Sequence, residues 1–265
     1  MHPFIFQIGF FKLPAYGLMV AAGYLASIFY IFRNAGKAGL KKEILSDLIF
    51  YSVLGGMLGA KIFYAATYWE DLGQDTAQRL SYLLRTFQYG FVFYGGLAGG
   101  TAGFLFIARK HRIPLPRATD LFAPALALGH AFGRIGCFLA GCCHGRPAGG
   151  WYGVVFTDPA SEVAPALLGT PLHPVQLYET AGNLLIFVIL NKTLNRALKG
   201  GLPPGTVIGV YAALYSVLRG SLEFLRGDDR GSSISGLSPG QLISAAVAAA
   251  AAIYLVRLKG SYEKK

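Results

Sequence analysis

LFAPALALGHAFGRIGCFLAGCC, residues 121–143, is the stretch that decides the fold class of this chain. It is long enough as a helix to cross about 30 Å of hydrocarbon and is apolar almost throughout, yet it carries His130 and Arg134 in its interior. A soluble helix places such groups on a wet face. A membrane helix turns them toward a polar interior, because an arginine at bilayer depth costs roughly 2.5–3.5 kcal/mol on insertion scales.

Composition supports the membrane reading. Hydrophobic residues make up 54% of the 265 positions and charged residues only 14%, against roughly 25% charged in soluble domains, and the mean hydropathy is +0.47. Six further stretches are apolar and long enough to span: 15–32, 44–69, 89–108, 175–191, 205–225 and 239–257. The predicted fold is therefore an all-α integral membrane protein of seven transmembrane helices. It forms a single integral domain over residues 1–265, with a Gly- and Pro-rich periplasmic cap at 144–174 containing a β-like run at Trp151 to Phe156. The opening HPFIFQIGFF is too short to span and suits an interfacial arm.

The net charge of +11 would point to nucleic acid if it lay on one face of a soluble domain. It is sorted by loop instead. Alternate connections and the C-terminal tail hold fifteen Lys and Arg, including Arg33, Lys41, Arg109, Arg117, Arg196 and Arg257. The other side holds six: Lys12, Arg79, Arg85, Arg146, Arg226 and Arg230. The positive-inside rule places the N-terminus outside and the C-terminus in the cytoplasm, and no nucleic-acid partner is expected. The positive charges flanking span one follow its apolar run, so it reads as a span rather than a secretory signal.

Glycines recur at helical spacing, Gly55 and Gly59 on span two and Gly95, Gly99 and Gly103 on span three, as in close helix contacts in lipid. GGLPPG at 200–205 is a turn. His130, Arg134, Cys137 and Gly141 fall on one stripe of span four; Arg219, Glu223 and Arg226 fall on one stripe of span six. Two deep guanidiniums on different helices suit an anion brought in from the membrane, and lipid phosphate matches their planar fork. Lys61 either adds to that field or snorkels. Cys137, Cys142 and Cys143 with His144 show no paired zinc-ligand spacing, so no metal or other cofactor is expected and the thiols read as small packing groups.

AYGLM at 15–19, VFYGGLAGG at 92–100, GRIG at 133–136, GR at 145–146, HPVQLYE at 173–179 and RGSLEFLR at 219–226 keep a distinctive order. With them the chain resembles the prolipoprotein diacylglyceryl transferase family nearly end to end. The resemblance implies a multi-pass enzyme of the bacterial inner membrane whose partners are phosphatidylglycerol, the signal peptide of a preprolipoprotein with its lipobox cysteine, and membrane lipids. Diacylglyceryl would pass to that cysteine as a thioether, releasing glycerol phosphate. It also implies catalytic roles for Arg134, Arg219, Tyr94 and Glu223, and substrate-binding roles for Tyr16, His130, Cys137, Gly145, His173 and Gln176. This chain departs from the family pattern G-R-x-G-N-F-x-N-x-E, with Cys137, Ala140 and Cys142 at the two Asn and the Glu, and has Tyr94 where H-G-G usually begins. His130 and His144 are then the candidate bases. The alternatives are a phospholipid-binding or lipid-transport protein without transfer, and a transferase using its own Cys137 or Cys142 as covalent acceptor.

Overall fold

A computed structural model describes residues 3–8, 11–86, 90–227 and 236–263. Arg230, Lys264 and Lys265 of the charge count, the start of predicted span three, and His2, Gly9 and Phe10 of the arm lie outside the described residues. Among the described residues are eight α-helices: α1 (Ala15–Asn34), α2 (Lys42–Thr67), α3 (Thr76–Arg85), α4 (Phe93–Lys110), α5 (Leu115–Ala140), α6 (Val175–Leu198), α7 (Thr206–Glu223) and α8 (Pro239–Glu263). All but α3 coincide with a predicted span. Four of them, α1, α2, α5 and α8, are long and apolar enough by composition to cross a membrane. Large apolar side chains stay exposed along these helices, among them Leu25, Phe29, Phe50, Ile62 and Val256. Such faces need lipid rather than water around them, so the chain is an all-α membrane protein.

The helices overrun the apolar limits read from sequence, because a helix continues through polar residues once its backbone bonds are made. α5 begins at Leu115, six residues before the predicted span, and its first turns carry Arg117 and Asp120. α6 runs on through Lys192 and Arg196 to Leu198. At its other end α5 stops at Ala140 rather than 143, since Gly141 takes φ +88 and turns the chain away. Gly141 therefore leaves the predicted stripe of span four. Likewise α7 stops at Glu223, and Arg226 leaves the helical stripe of Arg219 and Glu223.

The chain forms two compact units, residues 35–118 and residues 1–34 with 119–265. In the first, α2 and α4 pack backbone to backbone. A methyl group at Gly99 would strike the carbonyl oxygen of Gly55, and one at Gly59 that of Gly95. The glycine rows are thus a helix–helix contact, as small residues in lipid allow. Lys61 on α2 donates to the Thr86 carbonyl at 2.9 Å and lies over the rings of Tyr64 and Phe91. α3 follows on from Asp75, whose carboxylate caps it by accepting from the Gln78 amide.

In the second unit, β1 (Phe4–Ile8) and β2 (Phe11–Pro14) pair antiparallel and lead directly into α1. The predicted interfacial arm is thus part of a hairpin. α5 is held by three partners. Ser27 of α1 donates to the Ala125 carbonyl at 2.8 Å, Thr180 of α6 reaches the Ala131 carbonyl, and buried Asp120 accepts from the Gly205 and Ile208 amides at the start of α7. The last contact satisfies helix-terminal donors from a distant carboxylate and fixes where α7 begins relative to α5. GGLPPG is the turn before α7, with Gly200 and Gly205 at positive φ. The cap has its own small core of Phe156, Val163 and Leu172, with Phe138 of α5 against it. Within the run Trp151–Phe156, only Val154–Val155 (β3) is strand, paired with Pro171–Leu172 (β4).

The α2–α4 contact predicts a selective cost. Gly99→Ala is expected to destabilise the protein by about 1–3 kcal/mol by overpacking, seen as a lower thermal midpoint in detergent. Gly36→Ala, with open space around it, should leave the midpoint unchanged.

Candidate active site

The site is built on a buried charge cluster in the second unit. Glu179, on α6, is 0% exposed. Its Oε2 lies 3.0 Å from Nε of Arg134 on α5, and its Oε1 lies 3.5 Å from Nε2 of His130. Arg134 Nε makes no hydrogen bond of good geometry, so this contact is ionic rather than directed. The Tyr215 hydroxyl on α7 donates to Glu179 Oε1 at 3.3 Å, and its ring packs against that of His130 with centroids 5.0 Å apart. His130 and Arg134 are one helical turn apart, so the predicted stripe of α5 aims both at one carboxylate.

A second pair lies on α7. Arg219 Nη1 bonds Glu223 Oε2 one turn along the helix, and Glu223 Oε1 accepts from the Ser238 hydroxyl at 2.9 Å. Gly240 of α8 closes over this carboxylate, since a Cβ there would come within 2.6 Å of Oε1. Glu223 therefore neutralises Arg219. Both Arg134 and Arg219 are within electrostatic reach of His130 and Tyr215. Two mostly buried guanidiniums from two helices thus act electrostatically on one imidazole and one phenol. This arrangement can hold an anion and move a proton beside it.

The remaining predicted residues divide by location. Tyr16 on α1 is half exposed and packs over Gly136, whose Cβ position lies 3.1 Å from its ring, so it borders the GRIG segment. Gly145 has no room for a side chain: a Cβ would meet His173 and the Leu225 carbonyl at 2.6 Å. Around it the Gly145 amide donates to the His173 carbonyl and the Arg146 amide to the Leu225 carbonyl, stitching the cap to the segment after α7. His173 stacks on Tyr152. Gln176 is buried and donates from Nε2 to the Cys142 carbonyl at 2.7 Å, which holds the turn after α5. His144 is buried with Nδ1 2.9 Å from the Gly145 carbonyl oxygen. Cys137 stands in the last turn of α5, with its sulfur beside those of Cys142 and Cys143. Tyr94 belongs to the other unit, on α4, with its ring against Phe93 and 61% exposed.

Sequence reasoning gave Glu179 no role, although it lies inside HPVQLYE. The signal was present: an acidic residue in a predicted span needs a cation, and Arg134 had none assigned. Tyr215 carried no such signal, since one tyrosine among many apolar residues on α7 is unremarkable until it meets Glu179.

The cluster predicts strong coupling. Glu179→Gln and Arg134→Gln should each destabilise by about 3–5 kcal/mol by leaving the other charge buried alone. The double variant should lose much less than the sum of the two, measured as a double-mutant cycle of unfolding in detergent.

Comparison with known proteins follows the same residues. Residues 3–257 match the prolipoprotein diacylglyceryl transferase family. The chain is 34% identical over 244 residues to the phosphatidylglycerol–prolipoprotein diacylglyceryl transferase of Clostridium tetani, covering 92% of each chain. It is 34% identical over 237 residues to transferase 2 of Clostridium perfringens, covering 88% of this chain and 86% of that one. With the Geobacter sulfurreducens transferase it shares 32% over 249 residues, 91% of this chain and 89% of that one. A match that spans the charged helices, the cap and the segment after α7 alike shows that this chain belongs to the prolipoprotein diacylglyceryl transferase family.

Proposed function

We propose that the protein transfers diacylglyceryl from phosphatidylglycerol to the lipobox cysteine of a preprolipoprotein. The observation that carries this reading is the pair of buried guanidiniums, Arg134 and Arg219, each backed by a carboxylate and both within electrostatic reach of His130. The substrate thiolate attacks the glyceryl carbon that bears the phosphate ester. The carbon–sulfur bond forms as the carbon–oxygen bond breaks, and glycerol phosphate leaves with the electron pair.

A thiol is a weak nucleophile at its free pKa of about 8.5, so a base is needed. His130 serves: with Nε2 facing Glu179, the other ring nitrogen, Nδ1, takes the thiol proton. Arg134 and Arg219 bind the phosphodiester and hold the charge that develops on the departing phosphate. Glu179 and Glu223 keep these arginines in place. Tyr16, bordering GRIG, hydrogen-bonds the lipid headgroup, while Cys137, Gly145, His173 and Gln176 line or shape the substrate path. The enzyme works in the bacterial inner membrane as a multi-pass protein. Its seven long helices span, and the cap lies on the outer side.

Complementation of a strain depleted of its own transferase tests the activity. The unaltered chain should rescue growth and, purified, should add diacylglyceryl to a lipobox peptide with phosphatidylglycerol present. Phospholipid binding without product would instead make it a lipid-binding protein. His130→Asn should lower kcat by about 10²–10⁴-fold, whereas Tyr16→Phe should act mainly on KM for the lipid. The orientation is checked separately by reporter fusions. A phosphatase joined after Asp158 should be active outside, and one joined after Lys199 should be inactive in the cytoplasm.

A further inference from the structure

The turn that ends α5 brings together three groups to which the transfer reaction gives no bond-making or proton-transfer step. Cys137, Cys142 and Cys143 are free thiols, each partly buried, and their sulfurs all lie within 4.8 Å of one another. Metal–sulfur bonds of about 2.3 Å set the sulfurs of one trigonal or tetrahedral ion about 4 Å apart. The trio is therefore within small side-chain rotations of a ligand set. The sequence hid this, because C-x4-C-C is no standard pairing; the reversal of the chain after Ala140 makes the cluster.

Several features hold the thiols there. Gly141 turns the chain at φ +88, and Cys143 takes φ +60, a left-handed conformation that is uncommon for a residue with a side chain. Such conformations persist where the surroundings impose them and concentrate at functional sites. The Gln176 amide fixes the Cys142 carbonyl at 2.7 Å, and the Cys142 thiol itself points back to the Cys137 carbonyl at 3.8 Å. Charge fits as well. Arg226, itself buried, lies within electrostatic reach of Cys143, and Arg134 within that of Cys137 and Cys143. Two guanidiniums compensate the excess negative charge of three thiolates around one cation. Among the described residues, the cluster contains sulfur donors alone, which selects soft ions over Mg²⁺ or Ca²⁺.

We propose that Cys137, Cys142 and Cys143 form a binding site for one thiophilic d¹⁰ cation, of the Cu(I) or Zn(II) type, held by three thiolates. Binding releases the thiol protons, and in the Zn(II) case water completes a tetrahedral shell. The site is independent of the transferase reading, because its occupancy is measured by binding rather than by turnover.

The test uses the full chain, purified in detergent under a phosphine reductant. Cu(I) and Zn(II) are titrated in separate arms against chromogenic chelators, bound metal is counted by mass spectrometry, and thiols are then alkylated and read by intact mass. The expected result is one ion per chain with all three thiols protected, and the arm with the tighter binding identifies the ion. Affinity should fall at least tenfold in each of Cys137→Ser, Cys142→Ser and Cys143→Ser. Cys143→Gly guards against a mere folding defect, since glycine accepts φ +60 without strain: it should keep the thermal midpoint of the metal-free protein and still lose the ion. The proposal is overturned by failure of both ions to bind, by binding that survives the single substitutions, or by thiol protection that reductant rather than chelator reverses.

Discussion

The contact between Glu179 and Arg134 is the constraint around which the second unit is arranged. Neither group can be left alone in an apolar interior, because an uncompensated buried charge costs several kcal/mol. Their 3.0 Å approach therefore fixes α5 against α6. The same carboxylate then receives the Tyr215 hydroxyl and faces His130, so α7 and the imidazole take their places from it. Asp120 adds a second tie, anchoring the start of α7 to α5 roughly four turns before Arg134. With α7 fixed at both points, Arg219 comes to the same neighbourhood as Arg134.

The end of α5 follows a different logic, set by the backbone. Gly141 and Cys143 reverse the chain, Gln176 pins the reversal, and Gly145 passes through a gap that admits no side chain. Three segments distant in sequence, 144–147, 171–175 and 225–227, are joined there by main-chain hydrogen bonds. The stitching explains how HPVQLYE, the GR pair and the residues after α7 can act together although none touches another along the chain. The same reversal gathers the cysteines, so the substituted part of the signature is a sulfur cluster as well as a packing element.

Much of this was legible before any coordinates. The seven apolar stretches each hold a helix, since burying the backbone's own donors and acceptors leaves few alternatives in lipid. The glycine rows gave the α2–α4 contact, because only small residues permit backbones to touch there. Arg134 and Arg219 stood out by the cost of their burial. Helix ends were less legible: polar residues extended α5 and α6 past the apolar limits, and left-handed residues ended α5 early, removing Gly141 from its stripe. Arg226 was misread in the same way, since α7 stops at Glu223.

The sequence by itself determined the solvent, the helices and the identity of the costly charges, because hydrophobicity, periodicity and formal charge are properties of the chain. Only the tertiary structure decided which charges meet. The Arg219–Glu223 pair lies within one helical turn, but pairing of Arg134 with Glu179, 45 positions away, and the gathering of three thiols by the chain reversal after α5 depend on how the chain folds back on itself. Helical spacing reaches only three or four residues, and beyond that range contact is set by how elements pack rather than by their order.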